Sequence, residues 1–115
     1  TNLPVTASAY QRTLSGGQDA FVVKLNATGS AYCFATYLGG TSTDHAAAVR
    51  MHPNGNFFVG GSTYSTNFPT HGAIQSLNAG GQDAFITKLF LALLMAVSAK
   101  LKVVSGESAT LIWMA

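Results

Sequence analysis

The residues that could carry out chemistry are few and lie far apart in this sequence. The acidic residues are Asp19, Asp44, Asp83 and Glu107, which are too scattered to indicate a pair of carboxylates for acid–base catalysis. The sequence also lacks the Gly-x-Ser-x-Gly motif that would place a serine nucleophile on a sharp turn. We therefore predict no catalytic residue and expect that the chain is not an enzyme.

The histidines and the cysteine do not form a pattern typical of a metal site. His45, His52 and His71 lie in three different loops and lack the close paired spacing that a local zinc site requires. Cys33 is the only cysteine, so no intrachain disulfide can form, and its place in an apolar run predicts a small buried thiol. We therefore predict no metal ligand and no cofactor.

The aspartates are better explained as acceptors of hydrogen bonds in turns. Asp19 and Asp83 each follow a Gly-Gly-Gln sequence, where a short carboxylate can accept bonds from the backbone amides of the turn. Asp44 lies in a loop rich in Ser and Thr and is given the same role. A calcium ion would need several oxygen ligands, and each copy of the Gly-Gly-Gln-Asp sequence offers one carboxylate.

An internal duplication determines how these residues are arranged. Residues 16–25 recur as residues 80–89, at a spacing of 64 residues. Two shorter blocks upstream of each copy match in the same order: residues 1–4 with 66–69, and residues 9–11 with 73–75. Three matching blocks in one order indicate a repeat protein.

The apolar residues within one repeat alternate with a period of two, which predicts strands rather than helices. The predicted strands are residues 20–25, 32–38, 47–51, 57–61 and 84–89. Gly-rich and Asn-rich turns separate them, so we predict antiparallel hairpins. A four-stranded unit has two faces that need cover, and a β-propeller, a β-solenoid or a sandwich would supply it.

Two stretches of the sequence suggest a family. Residues 17–40 and residues 54–70 closely resemble the bacterial β-propeller repeat known as the SBBP repeat, and the resemblance covers residues 1–89. It implies an all-β fold of antiparallel four-stranded blade-type repeats, here a partial β-propeller of about one and a half blades. The chain departs from the family pattern at His52, where an Asp is usual, and at Arg50, where a small residue is usual.

The resemblance also suggests how the chain is divided. Residues 1–40 would end a first repeat, as a linker plus two strands, and residues 41–89 would form most of a second repeat. Residues 90–115 diverge from the repeat. There we expect a short helix or irregular apolar segment at 90–97, followed by a hairpin at about 100–114 whose first strand is 100–104. The alternative is a tail without a native fold.

The composition narrows the range of partners and locations. Charged residues make up 9% of the chain, and its six basic residues are dispersed, so a nucleic-acid partner is not expected. The longest apolar run, residues 89–97, is too short to span a membrane. The resemblance implies an extracellular or cell-surface location, and we expect an export signal to lie upstream of Thr1.

These observations predict a non-catalytic structural or interaction repeat module of an exported or cell-surface bacterial protein. Its expected partners are neighbouring blades or other proteins, and surface polysaccharide is a further candidate. Two alternatives stay open: a carbohydrate-binding or calcium-binding lectin-like propeller module, and the scaffold of an extracellular enzyme that acts on polysaccharide. A binding surface would be expected on loops, and the candidate residues are Tyr64, Asn67, His71 and Gln75.

Overall fold

The chain folds into antiparallel β-sheets. The structure, a computed structural model, describes residues 2–90 and the backbone of residues 96–101. The strands follow one another along the chain as β1 (Ala20–Leu25), β2 (Tyr32–Leu38), β3 (Asp44–Met51), β4 (Phe57–Thr63), β5 (Asp83–Leu89) and β6 (Ala96–Leu101). The described residues contain no helix, and hence none long and apolar enough to cross a membrane. The predicted all-β, antiparallel fold class is confirmed.

The first sheet consists of β1 and β2, which pair as an antiparallel hairpin. Both strands have the bounds predicted from the alternation of apolar residues. Asn26 closes the hairpin, because its side-chain oxygen accepts the amides of Ser30 at 2.9 Å and Ala31 at 3.3 Å. Gly29 has a φ of 71° in this turn, a conformation that a residue without a Cβ adopts at little cost.

The prediction that Cys33 is buried is wrong, because a β-bulge removes it from the paired part of β2. Lys24 lies opposite Phe34 and Leu25 lies opposite Tyr32, so Cys33 has no partner in the register. The hairpin ends here, and Phe34 is the neighbour that turns into the core. The thiol of Cys33 is therefore exposed.

The second sheet has four strands in chain order, β3-β4-β5-β6, all antiparallel. The predicted strands at 47–51, 57–61 and 84–89 are confirmed, and each is longer in the structure. In the turn between β3 and β4, His52 donates its amide to the carbonyl of Asn56 at 2.8 Å, and Gly55 has a φ of 91°. The His52 ring nitrogen Nδ1 accepts the amide of Asn54 at 3.3 Å, which is the kind of bond that an Asp would make in such a turn.

The fourth strand begins earlier than the sequence predicted. β6 runs antiparallel to β5, with Ala96 opposite Leu89 and Leu101 opposite Ala84. The helical or irregular segment expected at 90–97 is therefore wrong for residues 96–97, because the edge of β5 offers unpaired backbone groups and pairing overrides helix propensity. Beyond residue 101, the hairpin expected at 100–114 lies outside the described residues.

The two sheets pack face to face around a common core. Phe34 of the first sheet stacks on Phe57 of the second, with ring centroids 6.1 Å apart. Phe68, from the connection between β4 and β5, covers Phe85 at 4.3 Å. The amide of Asp44 donates to the carbonyl of Gln18 at 2.7 Å, which joins the start of β3 to the residues before β1.

We predict that Gly55→Ala destabilises the fold by about 1–2 kcal/mol, because alanine is strained at the positive φ of this turn. Gly17→Ala is the matched control, since nothing lies within 4 Å of the added Cβ and no positive φ occurs there. The control should change the free energy of unfolding by less than about 0.5 kcal/mol. Urea denaturation of both variants checks the prediction, and equal costs would contradict it.

Candidate interaction surface

Asp19 organises the turn that leads into β1. Its Oδ2 accepts the side-chain amide of Gln11 at 2.7 Å and the backbone amide of Ser15 at 2.9 Å. Its Oδ1 accepts the amide of Gly16 at 3.3 Å. Because Asp19 is buried, each of these bonds replaces water that the carboxylate has lost, and the turn is held against the start of the strand.

Asp83 repeats this arrangement at the start of β5. Its Oδ2 accepts the side-chain amide of Gln75 at 3.3 Å and the amide of Ala79 at 2.8 Å. Gln75 also donates to the carbonyl of Leu77 at 3.0 Å, as Gln11 does to Thr13 at 2.9 Å. The duplication in the sequence is thus also a duplication of hydrogen bonds, with each donor and acceptor displaced by 64 residues.

One difference between the copies follows from a single substitution. The second copy has Asn78 where the first has Leu14, and the amide of Gly80 donates to Asn78 Oδ1 at 2.7 Å. Gly80 therefore does not reach Asp83 as Gly16 reaches Asp19. Among the described residues, no donor bonds to Asp83 Oδ1, although the residue is only 1% exposed.

Asp44 joins the segment between β2 and β3 to the end of β4 through hydrogen bonds. Its Oδ2 accepts the amide of Gly40 and the hydroxyl of Ser65, both at 2.8 Å. The oxygen of Ser65 in turn accepts the amide of Ser42 at 2.9 Å. Gly39 lies between the carboxylates of Asp44 and Asp19, where an added Cβ would come within 2.8 Å of both, so only glycine fits.

The four residues predicted as a loop binding surface lie in the connection between β4 and β5. Asn67 accepts the amide and hydroxyl of Thr41 at 2.8 and 3.0 Å, and Gln75 is bonded to Asp83. The side chains of Tyr64 and His71 are exposed. Asn67 and Gln75 therefore form hydrogen bonds within the fold, and the side chains of Tyr64 and His71 are exposed to solvent.

A polar groove of about 370 Å³ includes one of these four residues, Asn67, and adjoins Tyr10, Gln11 and Pro69. Tyr64, His71 and Gln75 do not line it. Tyr10 packs against the core, and its burial raises the pKa of the phenol above its ordinary value. Nowhere in the part of the chain that the structure describes do three His, Cys, Asp or Glu side chains meet as a metal-binding group.

Equivalent side chains on β1 and β5 differ in how far they are buried. We call the side of β1 that carries Ala20 and Val22, and the equivalent side of β5 with Ala84 and Ile86, face A of the first and second repeat. Face A of the first repeat is buried against the second sheet, whereas Ala84 and Ile86 are partly exposed. The same positions are thus buried in one repeat and partly exposed in the other.

The opposite side shows the reverse pattern. Face B carries Phe21 and Leu25 in the first repeat, and Phe85 and Leu89 in the second. Phe21 and Leu25 are 60% and 48% exposed, whereas Phe85 and Leu89 are 3% and 2% exposed. Within the chain, face A of the first repeat covers face B of the second. Face B of the first repeat is therefore exposed at Phe21 and Leu25 of β1, whereas its β2 residues Ala35 and Tyr37 are buried.

Sequence reasoning did not identify Gln11, Ser65 or Phe21 as important. The signal for Gln11 was present, because Gln11 and Gln75 match within the duplication and each precedes its aspartate by eight residues. No comparable signal marks Ser65, whose partners Asp44 and Ser42 are brought to it by the pairing of β3 with β4.

Comparison with known proteins does not assign the chain to a family. No protein-family model matches the chain, and neither a curated protein nor a solved structure shows a significant match. The SBBP resemblance therefore stays a prediction from residues 1–89.

We predict that Asp19→Asn costs more stability than Asp83→Asn. Both oxygens of Asp19 accept hydrogen bonds, so the new amide nitrogen must face a donor, and we expect a cost of about 1–3 kcal/mol. At position 83, the side-chain nitrogen of Asn can replace Oδ1, which accepts no hydrogen bond, so we expect a loss of stability below about 1 kcal/mol. Chemical denaturation of both variants measures the difference, and the opposite ranking would contradict the assignment.

We also predict that truncating the equivalent phenylalanines of face B, Phe21 and Phe85, to alanine has different effects on stability. Phe85→Ala should cost about 3–5 kcal/mol because it leaves a cavity in the core, and Phe21→Ala should cost less than about 1 kcal/mol. Unfolding by urea at low protein concentration tests this. Similar losses for the two variants would show that the faces do not differ in burial.

Proposed function

We propose that this chain is a non-catalytic structural or interaction module built from four-stranded repeats that stack face to face, as blades of a β-propeller do. One observation carries the proposal: equivalent side chains differ in burial, since Phe85 and Leu89 are buried while Phe21 and Leu25 are exposed, and Ala20 and Val22 are buried while Ala84 and Ile86 are partly exposed. A stack of like units produces this pattern, because every contact joins face A of one unit to face B of the next.

The hydrogen bonds around the aspartates support the proposal. Asp19 and Asp83 hold the same turn in both repeats, so each repeat brings its strand into the sheet with its own set of bonds. Asp44 and Ser65 hold the link that carries the chain from one sheet to the next. These carboxylates are engaged in structure, and this role accounts for their burial.

The exported or cell-surface bacterial location is a further part of the proposal. It rests on the resemblance of residues 1–89 to the SBBP repeat. Other blades or proteins are the proposed partners. The exposed side chains of Tyr64 and His71, on the connection between β4 and β5, are the proposed loop contributors to binding.

The test is a lengthened chain in which residues 1–89 are followed by residues 26–115, so that one whole repeat of 64 residues is added. We expect a higher melting temperature and a larger denaturant m-value in a single transition, because the added unit buries faces that are now open. The control carries Ile86→Asp in the first copy of that residue, which lies on face A at the junction with the added repeat, whereas Phe85 of the same copy is already buried in the original core.

The control should lose most of the gain in melting temperature. If the lengthened chain instead melts in two separate transitions, or at the temperature of the original chain, the repeats do not stack and the proposal fails.

A further inference from the structure

We propose that the chain binds a second copy of itself head to tail, with face B of the first repeat in one molecule against face A of the second repeat in the other. This inference rests on the stacking proposed above and names the partner that completes it. Its basis is the contact already present between the two repeats inside one molecule.

Face B of the first repeat exposes large apolar side chains along β1 and at the start of β2, whereas Ala35 and Tyr37 on the same face are buried. Phe21, Leu25 and Tyr32 are 60%, 48% and 48% exposed, although all three lie on strands. Together with Leu3 and Val23 they line a groove of about 520 Å³. A cluster of large apolar side chains of this kind is typical of an interaction site.

The molecule itself shows what covers such a face. Phe85 and Leu89, the equivalents of Phe21 and Leu25, are covered by a sheet whose facing side includes Ala20 and Val22. The second repeat presents Ala84 and Ile86 at the positions of Ala20 and Val22, and these side chains are partly exposed. A second copy therefore brings a partly exposed surface with matching residues.

The charges on the two faces do not oppose this contact. The outward side chains of face B in the first repeat, among them Phe21, Val23 and Leu25, are uncharged. On face A of the second repeat, the ammonium group of Lys88 lies over the rings of Phe58 and Phe90, at 5.6 and 4.7 Å from their centroids. Arg50 lies opposite Phe58 on the same face, so this face carries two cations, and two cations meeting an uncharged face produce no like-charge repulsion.

The contact is heterologous, because it joins two different surfaces. Each bound molecule still presents one free face A and one free face B, so association continues beyond a dimer into a ring or an open chain. A two-fold dimer, in which face B meets face B, would stop at two copies. This difference makes the proposal testable with single substitutions.

The experiment measures the mass of the full chain in solution as its concentration is raised, by light scattering and sedimentation equilibrium. Wild type should exceed the mass of a dimer. Phe21→Asp blocks face B and Ile86→Asp blocks face A, and each should weaken self-association by about 30-fold or more. Ile74→Asp, at a loop residue that is 91% exposed, is the matched control and should associate like wild type.

The decisive sample is an equimolar mixture of Phe21→Asp and Ile86→Asp. Each variant retains the face that the other lacks, so the mixture should form a one-to-one dimer and nothing larger. Circular dichroism and urea unfolding check that each variant is folded. If Ile86→Asp does not fold, Ala84→Arg replaces it, because Ala84 lies on the same face.

A wild-type chain that stays monomeric, a mixture that stays monomeric, or self-association of Ile86→Asp alone would each overturn the proposal. Its failure is distinct from that of repeat stacking. If the lengthened chain gains stability while wild type is monomeric, the repeats stack but a second copy is not the partner. If wild type associates through these faces and the lengthened chain gains nothing, stacking within one chain is wrong.

Discussion

The contact between the two sheets is the constraint on which the rest of the structure depends. A small antiparallel β-sheet is stable only when at least one apolar side is covered. Two such sheets can cover one pair of faces, and in this chain Val22 and Phe34 meet Phe57 and Phe85. Phe85 is buried in this contact, whereas its equivalent Phe21 lies on the opposite side of the first sheet and is exposed.

Buried carboxylates hold the segments that lead into and between the two sheets. Asp19 holds the entry to β1, and Asp44 holds the link between β2 and β3. Gly39 passes between the two carboxylates, so the backbone comes close enough for the first sheet to lie on the second. Hydrogen bonds to charged acceptors in a buried setting are strong enough to hold such a close approach.

Much of the fold follows from local patterns in the sequence. The alternation of apolar residues identified β1 to β5, and the turn residues identified both hairpins, because side-chain periodicity and positive φ are properties of a few adjacent residues. The duplication also identified Asp19 and Asp83 as equivalent. The exposed thiol of Cys33 and the early start of β6 were not predictable in this way, since a bulge and an edge pairing depend on the neighbouring strand.

The sequence by itself determined the repeat, the strands and the residues that would hold the turns, because each of these is encoded within one repeat. Only the tertiary structure decided which face of each repeat is open. Phe21 and Phe85 lie in near-identical sequence, yet one is exposed and the other buried, because burial depends on what packs against a face. Likewise, only the fold shows that Asn67, which is exposed, and Gln75 lie within hydrogen-bonding distance of Thr41 and Asp83.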